Sequence, residues 1–243
     1  MSISWTGCMT TMGSDSYAYP GDELELFAGA VNWKAYWAER IAEYVVGDVL
    51  EAGAGIGANT GLLRKDEHGR WVCVEPDRDL FQRLVAGVAS FAECHNGTIY
   101  VVSEDERFDT VLYLDVLEHI EDHKGEVAKA GARLKPGGHV VMLGPAHQFL
   151  WSPFDAHVGH VRRYSRRNLP RVETGQLELE HTEYLDSVGI CASLANRVLL
   201  RSSVPNTSQI QLWDRHMVPV SRVLDPLIGR TLGKSMLAVW RKA

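Results

Sequence analysis

The feature that most limits what this chain can fold into is a short apolar run that dissolves into glycines. Asp48-Val49-Leu50-Glu51 is followed by Ala52-Gly53-Ala54-Gly55-Ile56-Gly57-Ala58-Asn59-Thr60. A buried strand, alternate glycines and a helical pattern to about Leu63 call for a sharp strand-to-helix turn, whose bare backbone can lie against a ligand. Trp71-Val72-Cys73-Val74 reads as a second strand closing at Glu75-Pro76-Asp77, and 78–91 as a helix. A third strand is expected at 98–102, a fourth at 110–114 and a helix at 126–134. Lys135-Pro136-Gly137-Gly138 is expected to turn before a fifth strand at 139–143. Strands alternating with helices imply βαβ units, right-handed crossovers and a parallel sheet. Ligands of such sheets sit at the carboxyl ends of the strands, so the chemistry belongs just after Glu51, Val74, Val102, Leu114 and Leu143.

Glu75 stands eighteen residues beyond Gly57. A carboxylate closing the second strand can accept both hydroxyls of a ribose, so loop and acid together form a nucleoside-binding arrangement. A tight turn beside a solvated acid is the plainer alternative. Gly53, Gly55 and Ala58 also satisfy the dinucleotide pattern G-x-G-x-x-G/A, which leaves a nicotinamide cofactor open at this point. The acid two residues before the first glycine weighs against it.

Composition excludes several classes. With 45% hydrophobic and 23% charged residues, the chain is expected to be soluble and globular. No apolar run approaches the roughly 18 residues of a membrane span. The N-terminus lacks the basic-then-apolar pattern of a secretory signal. Cys8, Cys73, Cys94 and Cys191 are dispersed, so a buried thiol at Cys73 and a reducing, cytoplasmic compartment are expected. The net charge of −6 argues against nucleic acid as a partner. Residues 1–20 lack periodicity and are expected to be flexible, with one domain over 21–243. A helix is expected over 23–46 from the spacing of Phe27, Val31, Trp33, Trp37 and Ile41, and Tyr36 and Trp37 on it are candidates to touch an acceptor.

Phe108-Asp109-Thr110-Val111-Leu112-Tyr113-Leu114-Asp115-Val116-Leu117-Glu118-His119-Ile120, with Leu134-Lys135-Pro136-Gly137-Gly138 and the glycine loop, resembles the central block of class I S-adenosylmethionine-dependent methyltransferases. The resemblance runs from about residue 45 to 145 and more loosely to the end. It implies an α/β, doubly wound, Rossmann-like sheet of seven mostly parallel strands, the last antiparallel, and S-adenosylmethionine as cofactor. It also implies that Gly53, Ala54 and Gly55 pass beneath the methionine part of the cofactor. Glu51 would hold the ammonium, directly or through water, and Glu75 the ribose. Thr98 stands where the family often carries an acid at the adenine edge. Leu114, Asp115, Val116 and His119 would line the pocket, and Gly57, Thr60 and Pro76 complete the implied cofactor set.

The run after the fifth strand, 144–165, leaves the carboxyl edge of the sheet and should overhang the site. Its His147, His160 and Tyr164 join His119 as candidate catalytic groups, should the acceptor have to lose a proton. Glu118 and His119 could instead simply orient the next helix. A metal is conceivable from Asp155, His157 and His160, but their spacing fits no metal motif and none is expected. Arg162 and Arg163 could fork onto a substrate anion, with Trp151 beside it, or pair as a solvated face with Glu173, Glu178 or Glu180. Strands six and seven are expected at 177–186 and 235–242. The apolar insert 187–234 between them should be helical: a core-covering layer, a dimer face, or a lid over an apolar acceptor pocket. With its D-R-x-x-x-P-x-S-R-x-x-D pattern at 214–225, the chain is similar to bacterial methyltransferase-like proteins. The function expected is methyl transfer to oxygen or nitrogen of a small-molecule or carrier-linked acceptor, by a monomer or homodimer. Two alternatives stay open: the same cofactor with cyclisation of its aminobutyryl chain, and a non-catalytic binding protein.

Overall fold

A computed structural model describes residues 18–21, 24–170, 177–195 and 205–243. The expectations for 1–17 and for Glu173 lie outside the described residues. Seven strands form one sheet in the order β3-β2-β1-β4-β5-β7-β6. They are β1 (Val49–Ala52), β2 (Trp71–Glu75), β3 (Glu93–Asn96), β4 (Phe108–Leu114), β5 (Leu134–Pro145), β6 (Leu177–Leu185) and β7 (Ser235–Lys242). The first five pair in parallel, and β7 runs antiparallel between β5 and β6. This is the doubly wound Rossmann-like arrangement, with the chain reversal between β1 and β4 that opens a crevice at their carboxyl ends.

The core strands are apolar on both sides, as covering helices on both faces require. Leu50, Val72, Val111, Val140 and Ala238 face α5 (His123–Ala132) through Val127 and Ala130. Their alternates Val49, Trp71, Leu112, Val141 and Val239 face α2 (Val31–Ile41), whose Trp33, Trp37 and Ile41 are buried, and α4 (Arg78–Val88). α1 (Leu24–Ala28) and the short α3 (Thr60–Leu63) lie at the ends of this layer.

Three expectations are corrected. The third strand is β3 at Glu93–Asn96, and 98–102 instead holds a single 3-10 turn at Ile99–Val101. Ile99 and Val102 are buried, but as plugs beneath the sheet edge, while β3 is a polar, half-exposed edge strand with no apolar signature. The helix expected over 23–46 is two helices, broken at Gly29-Ala30. Lys135-Pro136-Gly137-Gly138 does not separate helix from strand; it is a bulge inside β5, where the register jumps from Phe108↔Leu134 to Thr110↔His139. Gly138 is required there, since a Cβ would lie 2.8 Å from the Asp109 carbonyl oxygen.

The described part of the insert is mostly helical: α7 (Gly189–Ala195), α8 (Thr207–Leu212), a π-helical turn at Trp213–Met217 and α9 (Val218–Leu227). Three buried aspartates tie it down. Asp214 accepts from the amides of Asn32 and Trp33 on α2. Asp225 accepts from the Tyr36 hydroxyl at 2.8 Å and from the Asp186 and Ser187 amides. Asp186 accepts from Trp213 Nε1 and the Ser221 hydroxyl. The pattern at 214–225 is thus a set of anchors that hold the insert over the sheet edge.

Candidate functional site

A cavity of about 550 Å³ opens at the carboxyl ends of β1, β2 and β4. One half is the glycine loop. Gly53 (φ +68°) turns the chain so tightly that a Cβ would lie 2.6 Å from Val116 Cγ2. Its amide donates to Val74 O at 2.9 Å, which fastens the loop to β2. Gly55 donates its amide to Glu75 Oε2 (2.8 Å), and Asp77 donates to Glu75 Oε1 (2.9 Å). Burial pushes the Glu75 carboxyl up to about 7 against these two bonds. Each oxygen keeps a further lone pair with which to accept a hydroxyl.

Of the residues expected at the cofactor, Gly53, Ala54, Gly55, Glu75, Pro76, Thr98, Leu114, Asp115, Val116 and His119 line this cavity. Glu51, Gly57 and Thr60 lie behind it. The Glu51 carboxylate turns away into the layer beneath α3, where it accepts from the Thr60 hydroxyl (2.7 Å) and Trp71 Nε1 (3.1 Å), so it does not reach the ligand directly. Gly57 is needed for packing, since a Cβ there would lie 2.8 Å from Val88 Cγ1. Lys34, which no sequence pattern singled out, lines the cavity and feels the charges of Asp115 and Glu51. A lone cation on an otherwise apolar helical face was the signal available.

The other half is roofed by Phe27, Trp33, Trp37, Ile210, Trp213 and Met217, from α1, α2 and the insert. At its polar end the 3-10 turn Leu117–His119 meets α6 (Pro153–His157) and the residues that follow. His119 and His160 come together with ring centroids 4.8 Å apart. Asp155 is wholly buried; burial raises its carboxyl, but His160 and Arg163 outweigh that and hold it at about 2. The ionised carboxylate therefore accepts from His160 Nδ1 at 2.9 Å. Burial and the neighbouring His160 lower His119 to about 3, which leaves it a neutral imidazole. Glu118 lines the same corner, and neither of its oxygens has a hydrogen-bond partner among the described residues.

The remaining candidates are placed elsewhere. His147 stacks on Tyr184, with ring centroids 4.6 Å apart, outside the cavity lining. Tyr164 is fully buried, its hydroxyl 3.2 Å from His123 Nδ1. Tyr36 turns to Asp225, whereas its neighbour Trp37 lines the cavity. Trp151 stands outside the lining. Arg162 caps the carbonyls of Leu117, Ile120 and Glu121. Arg163 reaches the cavity, but its fork is closed on Asp155 (Nε–Oδ1 2.8 Å, Nη2–Oδ2 3.0 Å). A guanidinium so occupied is not available to a substrate anion. Asp155, His157 and His160 do not form a metal group: His157 is exposed and Asp155 is taken up by Arg163, His160 and Ser152. Among the described residues the cluster with metal-ligand spacing is Glu118, His119 and His160.

A family profile described as a methyltransferase domain matches residues 32–174, more than half of the chain. The chain belongs to the methyltransferase-domain family. It is an S-adenosylmethionine-dependent methyltransferase. The residues present suit that cofactor, with a glycine cradle a side chain would fill and an acid at the ribose position of the fold. Solved structures share the architecture. The N-methyltransferase NodS from Bradyrhizobium japonicum WM9, in complex with S-adenosyl-L-homocysteine, is 15% identical with TM-score 0.55, covering 88% of each chain. Coclaurine N-methyltransferase is 12% identical with TM-score 0.59, covering 88% of this chain and 72% of its own. The [4+2]-cyclase SpnF is 12% identical with TM-score 0.58, covering 90% and 93%. At such identities these likenesses show the fold alone. Among curated proteins none matches by sequence. No helix among the described residues is long and apolar enough to cross a membrane.

Proposed function

We propose that this methyltransferase alkylates an oxygen or nitrogen on a small or carrier-linked acceptor whose body is apolar. The observation that carries the reading is that one cavity joins the Gly53–Glu75 cradle to a wall of aromatic and aliphatic side chains ending in a polar corner. The sulfonium donor brings its own activation, so the protein's task is to align donor and acceptor and to exclude water. In this reading Glu75 accepts the ribose hydroxyls, and Gly53 and Gly55 let the methionine part lie against backbone. Asp115 and Lys34, charged groups that both line the cavity, would take the ammonium and carboxylate. Trp33, Trp37 and Trp213 would hold the acceptor, its attacking atom directed to the corner of Glu118, His119 and His160.

Calorimetry with S-adenosylhomocysteine tests the donor half. Glu75→Ala removes two acceptors worth about 1–1.5 kcal/mol each, so affinity should fall about 30- to 150-fold. Equal affinity in parent and variant overturns the assignment, and a nicotinamide dinucleotide in the same titration should give no heat. For turnover, product mass decides: a gain of one methyl group with release of S-adenosylhomocysteine supports transfer, whereas methylthioadenosine marks cyclisation of the aminobutyryl chain.

A further inference from the structure

We propose that Glu118, His119 and His160 bind one divalent transition-metal ion, which holds an oxygen of the acceptor. The inference rests on the methyl-transfer reading and narrows it to O-methylation. Three observations carry it. Glu118 is wholly buried, yet among the described residues neither carboxylate oxygen meets a donor in hydrogen-bond geometry, and His160 Nε2 stands 3.9 Å from Oε1. A buried carboxyl whose oxygens meet no donor is costly to keep ionised unless a cation sits against it, and buried charges are paired or coordinate metals. One ligand atom from each of Glu118, His119 and His160 lies within 4.8 Å of the others. Metal–nitrogen bonds of about 2.0–2.1 Å put two ligands of one ion about 3–4 Å apart, so side-chain rotations that move these atoms by less than about an ångström suffice to close the site.

The surroundings are built to aim those atoms. Asp155 accepts from His160 Nδ1, which turns Nε2 toward Glu118, and Asp155 is itself held by Arg163 and the Ser152 amide. The Gly159 backbone hydrogen-bonds the His119 ring. A ligating histidine whose other nitrogen is held by a carboxylate or a carbonyl is the usual support of a metal centre. Two imidazoles with one carboxylate suit zinc, manganese, iron(II) or cobalt better than magnesium or calcium, whose sites are all oxygen. All three residues line the cavity, so the open coordination positions face the acceptor.

The choice of oxygen follows from electron counting. An amine has one lone pair, which coordination would occupy. A hydroxyl that coordinates and gives its proton to solvent keeps further lone pairs. One of these forms the bond to the methyl carbon while the carbon–sulfur bond breaks and its electrons stay on sulfur. The metal changes neither charge nor oxidation state.

The test uses the full chain stripped with chelator, titrated by calorimetry with zinc chloride and separately with manganese chloride, and with cobalt(II) to read ligand-field absorption. Expected are one zinc per chain, visible cobalt bands, and affinity weakened at least about tenfold in both Glu118→Gln and His160→Asn. The exposed His157→Asn should bind like the parent. Should wild-type protein bind no ion, or bind it equally well in folded Glu118→Gln or His160→Asn, the proposal is overturned. Where a variant does not fold, the wild-type stoichiometry and cobalt spectrum decide. S-adenosylhomocysteine binding is measured on the same sample. Cofactor bound without metal sinks this site alone, and metal bound without cofactor sinks the methyl-transfer reading instead.

Discussion

Gly53 and Gly55 stand two residues apart in one loop and answer to different demands. Both have positive φ, but a Cβ on Gly53 strikes Val116, whereas one on Gly55 meets nothing nearer than Leu24 Cδ1 at 3.9 Å, in the open cavity. Gly53→Ala should therefore cost the fold about 2–3 kcal/mol, the left-handed backbone contributing 1–2 and the clash the rest. Gly55→Ala should cost only the left-handed backbone's about 1–2 kcal/mol in stability but weaken S-adenosylhomocysteine about tenfold or more, because the new methyl group takes cofactor space. Chemical denaturation paired with calorimetry reads both; equal behaviour of the two variants would contradict this division of labour. Glu75 and these glycines were legible in the sequence because their place at the ends of β1 and β2 follows from local order. Arg163 and Glu51 were not, since what each side chain does depends on a distant partner: Asp155 for one, Trp71 for the other. Glu118 was passed over for the converse reason, because its interest lies in lacking a hydrogen-bond partner among the described residues.

Elements announce themselves when they are buried. β1 and β2 are buried throughout and β4 nearly so, and they were readable as strands, as were β6 and β7. β3 was missed because an edge strand owes its existence to hydrogen bonds with β2 rather than to apolar side chains. The insert was readable as helical and apolar, but its mode of attachment was not, since Asp214 and Asp225 look like solvated charges until their partners on α2 and after β6 are known. Asp225→Ala would strand the Tyr36 hydroxyl and the Asp186 and Ser187 amides without an acceptor. It should lower stability by about 3–5 kcal/mol, seen as a shift of the urea midpoint. S-adenosylhomocysteine affinity should stay within about threefold of the parent, because Gly55 and Glu75 are untouched. A midpoint that does not move would mean the insert is held by its apolar contacts alone.

At the scale of the molecule, the parallel sheet and the position of the cavity followed from alternation of strands and helices, whereas the acceptor half of the cavity did not. It is assembled from α1, α2, 144–163 and the insert, segments whose meeting only the finished fold brings about. The same assembly buries ionisable groups, and stability should depend on pH accordingly. Burial pushes Glu51 up to about 7 from its ordinary 4.5, despite bonds from Thr60 and Trp71. A carboxyl raised in the folded state contributes stability that is fully present below pH 4.5 and is lost as pH rises through 7. His123, lowered to about 4 chiefly by burial, works the other way, contributing above its ordinary 6.5 and losing that as pH falls. The two oppose each other between about pH 4.5 and 6.5, so bulk stability alone would hide the effect of Glu51. Glu51→Gln isolates it, because the amide oxygen can still accept from Thr60 and Trp71 but never ionises. The stability difference between variant and parent should move in the variant's favour by about 3 kcal/mol between pH 4.5 and pH 8, measured by denaturant melts at each pH. A difference that stays constant across that range would mean that Glu51 titrates in the folded protein much as it does in water, and that water reaches the layer behind the glycine loop.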